Sequence, residues 1–565
     1  MIRRVRVRNF KRFREQVFEL QDNIVLAGPN NSGKTTLLQA IGIWNLALRK
    51  WADIHRSGRG LRRKGIPITR KDFTAVPLRE MSLLWTDTST ALSKGEAENV
   101  GHKQGHPRSL EIRVEGIAPD KTEWGLSFEF HYQNSETISV RPASDDRDSV
   151  RVAHSQVTVV HVPPFSGIGA EETQYKREYQ DLLIGQGKPG DIVRNLLAEV
   201  YADEKHWQTL CGQIEEIFSY KLMPPQSEGR PFILCEYLPK MPQGRGKNGL
   251  PSLDIASAGS GFHQVLMLLA FFYARSSSVL LLDEPDAHLH VILQDQIYSR
   301  LRSIASERNC QLIIATHSEV IIDGTSPDRI LSFLGSPHQL VADVERDQVR
   351  EALKRLTAMD LLLVDQARGV LYLEGETDFS LLRAWAKVVG HRTCRWFLEN
   401  PFWHDNRGSH PREARGHFFA LRSVRSNVKG CLLLDGDNRG LPDRELAAED
   451  LRIIRWRRYE VESYLIHPDA LLRFVEEHCL PIFMPSARQF LIDQLPPAVF
   501  RNPLGEHDYL NVAAASKVLL PGFFKAASLD LPKTDYFRVA EQMHPEEISG
   551  EVITVLDDIG NHLGL

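Results

Sequence analysis

The chain has 565 residues, of which 25% are charged and 42% hydrophobic, with a formal net charge of −4. That length allows several domain-sized units, and that balance excludes a disordered chain and a protein that holds nucleic acid through bulk positive charge. Six scattered cysteines without a CxxC pair argue against a zinc site and a disulfide framework, so a reducing cytoplasm is the expected compartment.

Met1-Ile2-Arg3-Arg4-Val5-Arg6 lacks the apolar core of a secretory signal. The longest apolar run, residues 265–274, is too short to span a bilayer. Two basic clusters remain as candidate surfaces for an acidic partner: Arg56, Arg59, Arg62, Arg63, Lys64, Arg70 and Lys71, and Arg452, Arg455, Arg457 and Arg458. Each is equally readable as a solvated face.

Ile2, Val5 and Val7 predict an edge-like strand with arginines outward. Residues 23–27 form a short apolar strand leading into a glycine loop, and residues 35–48 read as a helix. Residues 49–110 are rich in Arg, Gly and Ser and read as an irregular insertion. Residues 110–165 alternate as strands, and residues 176–222 read as helical. Helix and strand then alternate from 255 to about 345. Residues 346–368 read as a connecting helix. From 369 to 470 strands and helices alternate again, the pattern of a mostly parallel sheet, and residues 471–565 read as a helical tail.

Gly28-Pro29-Asn30-Asn31-Ser32-Gly33-Lys34-Thr35 fits the phosphate-binding loop G-x-x-x-x-G-K-[ST]. Backbone N–H groups and the start of the following helix, with Thr36 next in line, would cradle phosphates. Lys34 would reach the β and γ phosphates, and Thr35 would ligate Mg²⁺. Asp283 closes the apolar run Leu280-Leu281-Leu282, the expected place for a magnesium-holding aspartate, and Glu284 is suited to orient or deprotonate the attacking water. Two further segments keep the same order. Ser257-Ala258-Gly259-Ser260-Gly261 opens an apolar helix, and Leu312-Ile313-Ile314-Ala315-Thr316-His317 is a strand ending in histidine. The large separation of Lys34 from Asp283 requires an insertion that divides the nucleotide-binding core. His288 and His290 mimic zinc spacing only superficially.

A second constellation lies downstream. Glu374 ends the apolar run Val370-Leu371-Tyr372-Leu373, and Asp435-Gly436-Asp437 ends Cys431-Leu432-Leu433-Leu434. Ligands collect beyond the carboxyl ends of parallel strands. Crowded carboxylates favour a hard cation with oxygen ligands, Mg²⁺ or Mn²⁺.

The first set of motifs resembles ABC-type and SMC-type ATPase heads, the second the TOPRIM domain. Together they resemble the OLD-family (overcoming lysogenization defect) endonucleases and the Gabija nuclease subunit. The fold this implies is α/β: an ABC-type head over residues 1–345, then a TOPRIM core over 369–470 with a helical C-terminal extension. The resemblance implies ATP as cofactor, a signature at Ser257, Gly259, Ser260 and Gly261 that meets a nucleotide on a second subunit, and His317 as a γ-phosphate sensor. Asp286 would belong to the dimer-contacting loop, while no Q-loop glutamine can be placed near Val162-Pro163-Pro164.

The same resemblance implies metal-dependent phosphodiester cleavage by two cations. Glu374, Asp378, Asp435 and Asp437 would hold Mg²⁺, or Mn²⁺ or Ca²⁺, with Glu374 also a candidate base. Glu462 is the favoured further ligand and Glu460 the second choice. Lys533 is the candidate for neutralising the transition state, with Lys525 as alternative. The implied partners are nucleic acid, DNA before RNA or tRNA, a second copy of the chain, and a defence-system protein. A non-cleaving DNA-repair or scaffold ATPase with a degenerate TOPRIM domain is the competing reading.

Overall fold

The computed structural model describes the chain apart from residues 57–64, 74–75, 77, 100–102, 104, 119, 144–152, 154–156, 166, 240–250, 276, 368, 400, 407–410, 426 and 438–449. It divides into two compact units, Met1–Leu353 and Lys354–Leu565, each mixed α/β. No described helix is long and apolar enough to cross a membrane.

The first unit contains β1 (Ile2–Phe10), β2 (Phe13–Glu19), β3 (Asn23–Ala27), β4 (Ile66–Thr69), β5 (Leu110–Ile117), β6 (Glu123–Asn134), β7 (Thr137–Pro142) and β8 (Val159–Val162). Then come β9 (Tyr220–Leu222), β10 (Glu236–Pro239), β11 (Leu253–Asp254), β12 (Val279–Asp283), β13 (Gln311–Thr316), β14 (Ile330–Ser332) and β15 (His338–Gln339). An antiparallel sheet runs β2-β1-β5-β6-β7-β4, and a mostly parallel one runs β15-β14-β3-β13-β12-β8.

Their burial patterns differ as the two sheet types require. In β5 buried residues alternate with half-buried ones, so only one face meets the core. In β12 and β13 every residue is buried, because both faces of the parallel sheet are covered. The helix Lys34–Arg56 lies between the two sheets, which explains the broad apolar stripe of its middle turns: Leu37, Ile41, Trp44 and Leu48 join one core with Val5, Leu126, Leu281 and Ile313. The opposite face of the parallel sheet packs Leu280, Leu282 and Ile314 against the helices Val193–Tyr201, Ser260–Ala274 and Val291–Glu307.

Several expectations need correction. The first strand is interior, flanked by β2 and β5. Its arginines face outward but are answered across the sheet, Arg4 by Glu19 and Arg6 by Glu15. The helix after the glycine loop continues past residue 48 to Arg56, because Trp51 and Ile54 extend its core-facing stripe. The span 49–110 is less irregular than expected: Ile66–Thr69 pairs with β7, and Ile66 and Ile68 alternate inward. The helical span 176–222 is three separate helices, Arg177–Gly185, Val193–Tyr201 and Glu204–Phe218, ending in the strand β9. The connecting helix is two helices, Asp343–Arg355 and Ala358–Gln366, broken where Thr357 and Asp360 form a reciprocal N-terminal cap. Residue 368 and most of the first basic cluster (Arg59, Arg62, Arg63, Lys64 and the Arg56 side chain) lie outside the described residues.

The second unit is built on β16 (Gly369–Leu373), β17 (Trp403–Asp405), β18 (Lys429–Leu434) and β19 (Leu451–Arg455), all parallel in the order β17-β16-β18-β19. The helix Glu376–Val388 and the helices after residue 467 share one core with this sheet, around Leu371, Leu433, Trp385, Phe474 and Leu556. Residues beyond 470 therefore complete the second unit's core.

Candidate functional sites

In the first unit β3 delivers the chain into the loop of residues 28–33. A Cβ on Gly28 would lie 2.8 Å from Phe333 Cβ, and Gly33 has φ of +111°, so both positions require glycine. Asn30 and Asn31 are exposed, Ser32 and Thr36 are half-buried, and the Ser32 hydroxyl is buried without a partner. Lys34 Nζ donates to the carbonyls of Gly28 (2.7 Å) and Pro29 (2.8 Å), and burial lowers its pKa to about 8.

Thr35 Oγ1 donates to Asp283 Oδ1 at 3.0 Å, across 248 residues of chain. Sheet order explains the contact: β3 and β12 flank β13, so their ends open onto one edge. Burial raises the Asp283 pKa to about 6, opposed by the Thr35 bond. Glu284 stands in the left-handed region (φ +50°) with its carboxylate 3.7 Å from His317 Nδ1. This contact lowers the Glu284 pKa and raises that of His317. Thr316 Oγ1 donates to Asp286 Oδ1 at 2.6 Å. Lys34, Thr35, Asp283, Glu284 and His317 thus form one neighbourhood. Ser257, Gly259 and Ser260 are exposed and Gly261 half-buried at the start of the helix Ser260–Ala274.

In the second unit Glu374 follows β16 and Asp435 follows β18, and the parallel register of these strands brings both to one edge. Burial pushes Asp435 up to about 9, reinforced by Glu374, Asp378 and Glu462. Burial likewise pushes Asp378 up to about 7, reinforced by Glu462 and Glu374. Asp378 Oδ2 accepts the Glu374 N–H (3.2 Å), and Asp435 Oδ1 accepts the Val461 N–H (3.1 Å). Lys533 Nζ lies 2.7 Å from Glu462 Oε1. Burial raises the Glu462 pKa, and this lysine opposes the rise.

Gly436 is forced by close approach: a Cβ there would sit 2.1 Å from the Arg458 carbonyl oxygen. Asp437 is half-buried beyond it. Glu460 is committed elsewhere, accepting the Ser516 N–H and, at 2.7 Å, the Ser516 hydroxyl. Lys525 is exposed. Among the described residues no group of three or more His, Cys, Asp or Glu side chains stands arranged to hold a metal ion, His288 and His290 included.

The second basic cluster is dispersed. Arg458 is buried, stacks on Tyr464 at 4.7 Å and donates to the Ser463 carbonyl. Arg452 pairs with Asp558 and Arg457 with Glu506. Sequence reading missed Ser516, within Ala514-Ala515-Ser516-Lys517, which carries no motif.

Residues 1–48 match a family described as "AAA ATPase domain", and residues 245–323 match one described as "AAA domain, putative AbiEii toxin, Type IV TA system". No curated protein matches the chain. Among solved structures, the chain is similar to an Smc head bound to the C-winged helix domain of ScpA, at 15% identity over 61% of this chain and 99% of that one, TM-score 0.34. It is similar to the SMC head domain from Thermotoga maritima at 12% identity over 60% and 99%, TM-score 0.31. A Pyrococcus furiosus Smc head with an extended coiled coil, bound to the C-terminal domain of ScpA, gives 14% over 59% and 92%, TM-score 0.33.

The two matched segments carry the Lys34 loop and the Asp283-Glu284 strand end respectively. The first unit is an ATP-binding ATPase domain, a class that works with Mg²⁺.

Proposed function

We propose that the protein is a nucleotide-regulated, divalent-metal-dependent endonuclease, with the ATPase unit joined to a phosphodiesterase unit of TOPRIM type. The observation that carries this reading is the crowding of Glu374, Asp378, Asp435 and Glu462 at one sheet edge, with Asp435 pushed up to about 9. Lys533 acts on both Asp378 and Glu462. Four crowded carboxylates outnumber that lysine, and hard, oxygen-ligated Mg²⁺ or Mn²⁺ would answer the remaining negative charge. Such cations polarise phosphoryl oxygens and lower the pKa of water.

Glu374, Asp378, Asp435 and Glu462 would hold the cations after side-chain rotation, since they do not stand as a finished cage. Asp437 would turn inward to join them. Glu460 is a poorer candidate, because Ser516 already uses its carboxylate. Lys533 would leave Glu462 for a non-bridging oxygen of the scissile phosphate, and Glu374 would take the proton of the attacking water.

In the ATPase unit Lys34 would keep its two carbonyl partners and offer its third N–H to a phosphate oxygen. Thr35 and Asp283 would share Mg²⁺, Glu284 would orient the water and His317 would sense the γ-phosphate. The exposed Ser257, Gly259 and Ser260, with Gly261, would meet a nucleotide held by a second copy, so nucleotide occupancy would control a homodimer. Nucleic acid cleavage under such control suits phage defence.

The competing reading, a non-cleaving ATPase scaffold, draws on the Lys533–Glu462 pair, which ties up one of the four carboxylates. Digestion of supercoiled DNA, linear DNA and RNA with Mg²⁺ or Mn²⁺, with and without ATP, separates the two. Cleavage lost in Asp435→Ala supports the nuclease. No cleavage of any substrate by the unaltered protein leaves the scaffold.

A further inference from the structure

The helix Ser260–Ala274 is apolar almost throughout, yet it buries one amide side chain, Gln264, at 1% exposure. Its Nε2 donates to the Pro285 carbonyl at 3.1 Å, while its Oε1 is buried with no hydrogen-bond partner among the described residues. Leucine would fill the same space without burying an unpaired Oε1, so the amide carries a cost that packing does not explain. What it gains is a hold on one peptide, that between Pro285 and Asp286, one residue beyond Glu284.

That peptide belongs to a turn the chain does not favour. Glu284 and His288 both have positive φ, +50° and +65°, uncommon for residues with side chains. The turn is held on one side by the strand that ends at His317. Glu284 N–H donates to the Ala315 carbonyl (2.9 Å), and Thr316 Oγ1 donates to Asp286 (2.6 Å). Ser318 Oγ donates to Gln294 (2.7 Å), whose Nε2 holds the Leu289 carbonyl (2.9 Å). On the other side stands the helix that residues 257–261 open. A Cβ on Gly261 would lie 3.5 Å from the His288 carbonyl oxygen, and three residues on Gln264 holds Pro285.

We infer that Gln264 is a positioning residue for ATP hydrolysis: its hydrogen bond to Pro285 fixes the backbone from which the Glu284 carboxylate reaches the attacking water. The same bond ties the exposed segment at residues 257–261 to Glu284, so a ligand engaging that segment acts on the catalytic turn. The inference rests on Glu284 being the group that orients the water.

The test is steady-state ATPase kinetics on the full chain for Gln264→Leu, Glu284→Gln and the double variant. Gln264→Leu keeps the shape and removes the donor. Its kcat should fall by about tenfold with KM for ATP changed less than about twofold. In the Glu284→Gln background it should cost nothing further, because the group it positions is gone. Gln264→Met, which also lacks the donor and is unbranched like glutamine, should behave like Gln264→Leu and guards against a packing artefact. Unchanged kcat in Gln264→Leu overturns the inference, as does a full tenfold loss added on top of Glu284→Gln. Full activity in Glu284→Gln itself overturns both the role given to Glu284 and the inference built on it.

Discussion

Lys533 Nζ lies 2.7 Å from Glu462 Oε1, a half-exposed ammonium against a carboxylate only 1% exposed. A buried carboxylate needs such a partner, and under the proposed nuclease reading the lysine competes with a metal ion for Glu462. Lys533→Met should therefore have two opposite effects. Mn²⁺ should bind more tightly, by about tenfold or ~1.4 kcal/mol, because the tethered competitor is gone. Cleavage should fall, because the charge meant for the phosphate is gone as well. Calorimetric titration with Mn²⁺ and plasmid nicking read the two separately. Equal or weaker Mn²⁺ affinity in the variant would refute the competition.

Lys34 spends its ammonium on two carbonyls of its own loop, Gly28 and Pro29. An ammonium has three N–H donors, so one remains for a phosphate oxygen while the two carbonyls hold the charged group in place. Lys34→Ala should reduce ATPase kcat/KM by at least about a hundredfold, ~2.7 kcal/mol, in a coupled phosphate-release assay. If the ATPase governs cleavage, the same variant should lose any nucleotide dependence of nuclease activity. Nuclease activity that still responds to ATP in Lys34→Ala separates the two units functionally.

Two glycines of the carboxylate site predict opposite outcomes for the same substitution. A Cβ at Gly436 would meet the Arg458 carbonyl oxygen at 2.1 Å and that of Trp456 at 2.6 Å, and backbone cannot rotate aside. A Cβ at Gly375 meets nothing within 4 Å. Gly436→Ala should lower stability by more than about 2 kcal/mol and disturb Asp435 beside it. Gly375→Ala should stay within about 1 kcal/mol. Denaturant titration of the two variants makes the comparison, and equal midpoints would contradict the close approach.

The short-range chemistry was legible because it is written in contiguous residues. The loop ending at Lys34, the apolar run ending in Asp283 and the runs ending in Glu374 and Asp435 each announce a strand end, and parallel pairing then gathers those ends. Contacts made across the sequence were not legible. Nothing local distinguishes Glu460 from Glu462, yet Ser516 takes the first and Lys533 the second. Arg458 reads as part of a basic cluster but is buried against Tyr464. Ile66–Thr69 is too short to stand out among arginines and glycines, and becomes a strand because β7 offers it an edge. Gln264 closes the signature-like segment that begins at Ala256, but its bond to Pro285 is likewise a contact made across the sequence.

His161 gives the first unit an acid-sensitive point. It lies on β8, an edge strand of the parallel sheet, paired with Leu281. Its Nε2 is buried without a hydrogen-bond partner, although the residue keeps some exposed surface. Burial lowers its pKa to about 4 from the usual 6.5. As pH falls through 6.5 the unfolded chain takes up a proton that the folded chain refuses until about pH 4. The unfolded state is thereby favoured, and stability drops across that window. Discounted for the exposed part of the ring, the loss should be about 2 kcal/mol at pH 4. His161→Leu keeps an apolar side chain on the strand and removes the titration, so its unfolding free energy should change less than that of the unaltered protein between pH 7 and pH 4. Parallel curves for the two proteins would show that His161 is not the group responsible.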